Sequence, residues 1–202
     1  MSYLYTFLIA LVNNLDNIGV RIAYSIRGIR IPFLKNLWIS FITFVISGGA
    51  AYFGELTTVY LNKTVSSIIS MVLLCSIGLW IILEPYVKKK KDIKNNEQVD
   101  FSLKGVLDNP ENADRDKSSD IDLKEATVLG IALSVNNIGG GVSAGMIGLS
   151  WYFVGIFSAV ISFIALWLGN YLTVFLKKWD LDKKASFVAG AVLIILGIIQ
   201  VI

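Results

Sequence analysis

The chain has 202 residues, 55% of them hydrophobic and 16% charged, and a mean hydropathy of +0.67. Its apolar residues come in blocks too long for the core helices of a soluble protein, so the composition defines an integral membrane protein with the lipid bilayer as its solvent. The formal charge of +3 comes from basic residues clustered beside hydrophobic ends, where they set topology, which argues against nucleic acid as a partner; with no histidine and one cysteine, Cys75, any bound metal must be held by oxygen.

In chain order, runs of about 20 apolar residues fall near Tyr3 to Tyr24, Phe33 to Phe53, Val65 to Leu83, Ala126 to Leu149, Trp151 to Phe175 and Ala185 to Ile202. The start Met1, Ser2, Tyr3 has no basic region ahead of the apolar stretch and no small-residue cleavage pattern after it, so it reads as an uncleaved first span. Between the third and fourth spans lies a polar stretch from Pro85 to Lys124 that contains Lys88, Lys89, Lys90 and Lys91. The expected organisation is therefore a three-helix unit over 1–84, a cytoplasmic linker over 85–124 and a second three-helix unit over 125–202.

Arg27, Arg30 and Lys35 follow span one, the lysine run follows span three, and Lys177, Lys178, Lys183 and Lys184 follow span five. Positive residues favour the cytoplasmic side, which makes these connections internal and both termini external. Each half has an odd number of spans, so the second enters the membrane in the opposite sense to the first. The predicted fold class is all-α integral membrane, with six transmembrane helices as two inverted three-helix repeats. That architecture is common among secondary transporters, whose sites lie near the midplane at the repeat interface. Three-span duplications in non-transporting proteins are the plainer alternative.

A short polar motif marks the duplication. Asn13, Asn14, Leu15, Asp16, Asn17, Ile18, Gly19 in span one matches Ser134, Val135, Asn136, Asn137, Ile138, Gly139 in span four at an offset of 120 residues. An aspartate at a helix centre costs about 2.5 to 3.5 kcal/mol on insertion scales, which asks for a functional reason. On one helix, Asn13, Asp16 and Asn17 share a face with Asn14 at its margin. Asn137, Gly141, Gly145 and Gly148 form a comparable line on span four, where glycines let two helices approach closely, and the run Gly139, Gly140, Gly141 lets the helix unwind. One carboxylate among amide oxygens suits a hard cation, so Asp16, Asn13, Asn17, Asn136 and Asn137 are candidate ligands of a divalent ion at the centre. The alternative is that the asparagines are interhelical glue. Arg21, one turn beyond Asn17, is a candidate charge partner or gate for Asp16, or else a side chain that snorkels to the headgroups.

In the linker, Asp114, Asp116, Ser118, Asp120, Asp122 and Glu125 occupy positions 1, 3, 5, 7, 9 and 12 of an EF-hand-type calcium loop, with apolar Ile121 at position 8. Ser119 stands where glycine normally makes the sharp turn, and no helix is evident leading into the loop after Pro110. A capping box, with Asp122 at the start of span four and Glu125 reaching back, accounts for part of the same pattern. If the loop holds Ca2+, its last ligand lies about three helical turns before Asn136.

Three segments carry a family resemblance that covers essentially the whole chain: Leu15 to Gly19, the turn Arg27, Gly28, Ile29, Arg30, Ile31, Pro32, and the stretch from Asp108 through the acidic loop to Ser134. In these the chain resembles YtaF-type sporulation membrane proteins, a branch related to the MntP-type manganese efflux pumps. The resemblance implies a multi-pass protein of the bacterial cytoplasmic membrane in an endospore former, handling Mn2+. In the pumps each half carries an aspartate, with another acid in span two; here Asp16 matches the first, Asn136 stands in place of the second, and span two offers Ser47 and glycines before Glu55. Two functions follow as expectations. One is a transporter-like protein that binds or moves a divalent cation through the Asp/Asn site; the other is a non-transporting membrane binding or assembly protein whose pathway Arg21 seals and whose loop responds to calcium. No paired carboxylates, histidine or activated nucleophile in the membrane interior supports an enzyme, and no organic cofactor is expected.

Overall fold

A computed structural model describes residues 2–88, 101–108 and 110–176, with 191, 194, 195, 198 and 199 of the final segment. The sixth expected span, Ala185 to Ile202, lies largely outside the described residues, as do Lys89, Lys90, Lys91, Lys177, Lys178, Lys183 and Lys184. Regular structure among the described residues is helical, apart from one isolated parallel bridge between Arg30 and Asp120. The helices are α1 (Ser2–Asn13), α2 (Leu15–Arg27), α3 (Phe33–Tyr60), α4 (Lys63–Lys88), α5 (Leu103–Asp108), α6 (Leu123–Val135), α7 (Asn137–Met146) and α8 (Trp151–Leu176).

Three of these contain stretches long and apolar enough to cross a bilayer: Phe33–Tyr60, Thr64–Leu83 and Trp151–Leu168. The pair α6 and α7 adds a fourth if it is counted as one span bent by 51°. Along α3 and α8, Phe41, Val45, Val160 and Trp167 face outward, as a lipid-contacting surface requires. The segment expected to be one span, Tyr3 to Tyr24, forms two helices of 12 and 13 residues on either side of Asn14. The cause is local. Asn14 Nδ2 donates to the Ala10 carbonyl at 2.8 Å and Asp16 Oδ1 accepts from the Asn17 N–H at 2.9 Å, so these short polar side chains compete with the helix ladder.

Span four breaks at the matching motif. The interruption falls at Asn136, whereas Gly139, Gly140 and Gly141 remain helical, so the unwinding expected at the glycine run occurs one turn earlier. The glycines serve close approach instead. A Cβ on Gly141 would lie 2.9 Å from Ala50 Cβ and 3.0 Å from the Ser47 carbonyl, and one on Gly145 would strike the Ala51 carbonyl.

Contacts along the helices fix their relative directions. Tyr3 meets Phe153, Phe7 meets Phe157, and Asn17 Nδ2 reaches Ser162, so the first span runs parallel to α8. Trp38 reaches Thr127 and Thr43 meets Ser134, so α3 runs parallel to α6. In contrast α3 and α8 are antiparallel: Asn36 bonds the Phe163 carbonyl, Gly48 sits against Gly155, and Tyr52 meets Trp151.

Two hydrophobic clusters form the core. Val20, Tyr24, Ile39, Leu129, Leu133 and Leu166 belong to one, together with Val106, Ala113 and Ile121 of the linker; Ile9, Val12, Ala51, Leu74, Ala144 and Val154 belong to the other. The linker is thus more than a divider of halves. Its described part, from α5 through a short 3-10 helix (Pro110–Ala113) to α6, folds onto the end where α2 stops and α3 begins. Gly28, with φ of 78°, turns the chain after α2 while the Ile29 N–H bonds the Tyr24 carbonyl, a left-handed cap that only glycine adopts without strain.

Candidate functional site

On each of the four elements at the centre, buried polar residues lie between the two apolar clusters: Asn13, Asn14 and Asn17; Thr43 and Ser47; Ser134 and Asn137; Ser158 and Ser162. This polar layer joins the two copies of the motif. Asn136 Nδ2 donates to Asp16 Oδ2 at 2.7 Å, and Asn137 Nδ2 donates to Asn14 Oδ1 at 3.3 Å. Asn13 packs against Gly140 so closely that a Cβ on the glycine would overlap its amide.

Asn14 is the hub, although it sits at the margin of the face drawn from helical spacing. Its Oδ1 accepts from both Asn17 Nδ2, at 3.2 Å, and Asn137 Nδ2. Asn17 Nδ2 also donates to Ser162 Oγ at 2.9 Å, which links onward to Thr43 at 3.5 Å and from there to Ser134 at 3.1 Å. Thr43, Ser158 and Ser162 were not singled out in the sequence, since serine and threonine are common in membrane helices. Their spacing between apolar clusters is the signal that marks them.

The pattern of satisfaction is one-sided. Within the layer the amide nitrogens of Asn14, Asn17 and Asn137 have acceptors, while Oδ1 of Asn13, Asn17 and Asn137 is buried with no donor, and the buried hydroxyls of Ser47 and Ser158 have neither donor nor acceptor. Buried acceptors normally find partners, and leaving one without costs about 1 to 3 kcal/mol, so a group of them beside a carboxylate is an arrangement short of positive charge. Oxygen groups of this kind are the ligands that hard cations prefer. Asp16 is half-buried and Asn136 is exposed, which leaves an approach to the carboxylate.

Arg21 is 4% exposed, and its Nη1 donates to the Ile29 carbonyl at 3.2 Å, on the linker side of the polar layer.

The acidic loop gathers part of the expected set. One carboxylate oxygen from each of Asp114, Asp116 and Glu125 lies within 4.8 Å of the others. Asp122 is diverted: its side chain accepts from the Glu125 N–H at 2.7 Å while Glu125 Oε2 accepts from the Asp122 N–H at 3.0 Å, a capping box that opens α6. Asp120 is exposed, and its carbonyl accepts from Ser118 Oγ at 3.0 Å. The sharp turn is made without glycine, at Ser119 with φ of 63°, where the Ser119 N–H is held by Asp114 Oδ2 at 3.2 Å. The helix missing from the sequence reading is the 3-10 turn at Pro110–Ala113. Hydrogen bonds from Ser118 hold the Asp116 carboxyl below the usual carboxylate range.

The membrane-length helices define a multi-pass helical membrane protein. Comparison with known proteins narrows this. Residues 59–201 match the family described as putative manganese efflux pump (Mntp), and the chain belongs to that family. The chain is also 28% identical, over 98% of its own length and 99% of the other's, to the probable sporulation protein YtaF of Bacillus subtilis (strain 168). No solved structure matches it.

Proposed function

We propose that this protein moves a divalent cation of the manganese kind across the bacterial cytoplasmic membrane, in a sporulating cell, through the polar layer formed by Asp16, Asn13, Asn17, Asn136 and Asn137. The observation that carries the reading is the set of buried amide oxygens without donors beside one carboxylate. Asp16 supplies the negative charge, and Asn13, Asn17 and Asn137 supply neutral oxygens that replace water around the ion. Asn136, which donates to Asp16, would yield that carboxylate to the cargo and turn its own oxygen inward.

The reading takes the protein as six spans in two inverted three-helix repeats, with both termini outside. Its support is the pairing of elements: the first span runs along α8 as the fourth runs along α3, and the two equivalent helices α3 and α8 cross antiparallel. Both first spans of the repeats break at the motif, as in transporters that bind ions at discontinuous helices. Exchange then proceeds by rocking one repeat against the other about the polar layer.

The test is manganese content of cells that express the chain and carry no other manganese exporter. Wild type lowers cellular manganese, Asp16→Asn does not, and Asn137→Ala weakens the effect; equal content in cells with wild type and Asp16→Asn overturns transport through this site. The burial of Arg21 on the linker side of the layer favours a second reading, a binding or assembly protein whose pathway is sealed. In that case wild type leaves manganese unchanged and Arg21→Gly opens the path.

A further inference from the structure

Outside the polar layer, the linker holds a second group of oxygen ligands. Asp114 is 7% exposed, its carboxylate stands with those of Asp116 and Glu125 within 4.8 Å, and its Oδ1 is fully buried with no hydrogen-bond donor. Three carboxylates in such proximity repel one another. Backbone N–H groups offset part of that charge, from Ser119 to Asp114, from Ser118 to Asp116, and from Arg115 and Asp122 to Glu125. They leave the buried Asp114 oxygen unmet. Ser118 Oγ and the Asp120 carbonyl, 3.0 Å apart, stand at the same turn and add neutral oxygens.

We propose that this loop is a site for a hard divalent cation of the calcium class, held by Asp114, Asp116 and Glu125 with Ser118 and the Asp120 carbonyl, and that its occupancy fastens the two halves of the protein together. Calcium fits better than magnesium because the ligands include several carboxylates and a backbone carbonyl in an irregular arrangement, whereas magnesium demands a near-ideal octahedron and keeps its waters. The fastening follows from what the loop touches. Ser119 and Ile121 pair with Arg30 of the first half, through Arg30 N–H to the Ser119 carbonyl at 2.9 Å and Ile121 N–H to the Arg30 carbonyl at 3.0 Å. Tyr24 Oη donates to the Pro110 carbonyl at 2.6 Å just before the loop, and Glu125 sits in the first turn of α6 in the second half. An ion that ties Asp114 to Glu125 therefore stiffens the junction between α2, α3 and α6, and it does so whether or not the central layer moves cargo.

The experiment uses the full chain purified in detergent, titrated calorimetrically with Ca2+, Mg2+ and Mn2+, with thermal unfolding and trypsin cleavage at Arg115 and Lys117 followed in parallel. Wild type should bind about one Ca2+ per chain with a dissociation constant between about 1 µM and 1 mM, at least tenfold tighter than Mg2+. Calcium should raise its unfolding temperature and slow cleavage at both sites. Asp114→Asn with Asp116→Asn should weaken Ca2+ binding at least tenfold and abolish both effects, while Asp16→Asn leaves them intact. Asp116→Asn alone, at a fully exposed position, gives the same direction of change if the double variant does not fold. The proposal is overturned if folded wild type binds no Ca2+ up to about 10 mM, if Mg2+ binds more tightly than Ca2+, or if Asp16→Asn removes the binding and the loop variants keep it.

Discussion

Replacing Asn14 by alanine tests whether the polar layer is organised around one side chain. Three hydrogen bonds go with it: Asn14 Nδ2 to the Ala10 carbonyl, and those that Asn14 Oδ1 accepts from Asn17 and Asn137. The consequences are unequal, because Asn17 Nδ2 keeps Ser162 Oγ as acceptor whereas Asn137 Nδ2 is left buried without one. A buried donor so stranded costs about 1 to 3 kcal/mol, and each remaining bond is worth about 0.5 to 1.5 kcal/mol, less in membrane helices, where measured cases average about 0.6 kcal/mol. The loss expected for Asn14→Ala is thus about 2 to 4 kcal/mol. Ser162→Ala removes one of the two acceptors of Asn17 and should cost under about 1 kcal/mol. Equilibrium unfolding of the full chain in mixed detergent micelles measures both. Equal losses for the two variants, or a loss under about 0.5 kcal/mol for Asn14→Ala, would refute the view of Asn14 as hub.

Two further outcomes follow from geometry and charge. A methyl at Gly145 meets the backbone carbonyl of Ala51, which cannot swing aside, whereas one at Gly19 meets nothing within 4 Å; unfolding measurements should show Gly145→Ala losing about 1 to 3 kcal/mol and Gly19→Ala unchanged or more stable by up to about 1 kcal/mol. For Asp116, hydrogen bonds from Ser118 favour the ionised form, so the folded carboxyl titrates below its unfolded value. Its contribution is present in full above the ordinary carboxylate pKa of about 3.9 and is lost as pH falls through the lower folded value. The protection factor of the Ser118 amide, its exchange rate relative to the intrinsic rate at each pH, should therefore stay constant from neutral pH to the ordinary carboxylate range and decline only below it in wild type, and Asp116→Asn should remove that dependence.

The long apolar stretches, the duplicated motif and the acidic spacing are local properties of the sequence. Hydrophobic length alone dictates that α3, α4 and α8 are membrane-length helices, since lipid tolerates only backbone that satisfies itself. The costly carboxylate at Asp16 and its asparagine neighbours likewise mark the centre from either copy of the motif, and the alternating acids mark the loop. Where the helices break was not legible in the same way. Helical spacing puts Asn14 at the margin of a continuous face, but its bonds to Ala10, Asn17 and Asn137 interrupt the first span and make it the middle of the layer. Likewise the glycine run of span four has the conformational freedom to unwind, yet Gly140, Gly141 and Gly145 stay helical because Asn13, Ala50 and Ala51 fill the space beside them. Arg21 shows the same limit: from the sequence it faces Asp16 or the headgroups, and only the fold of the linker end brings the Ile29 carbonyl to it. Pattern and composition determine what each segment is, because burial in lipid is decided residue by residue; which polar groups find partners and which are left open depends on neighbours brought from distant parts of the chain, and that the tertiary structure alone decides.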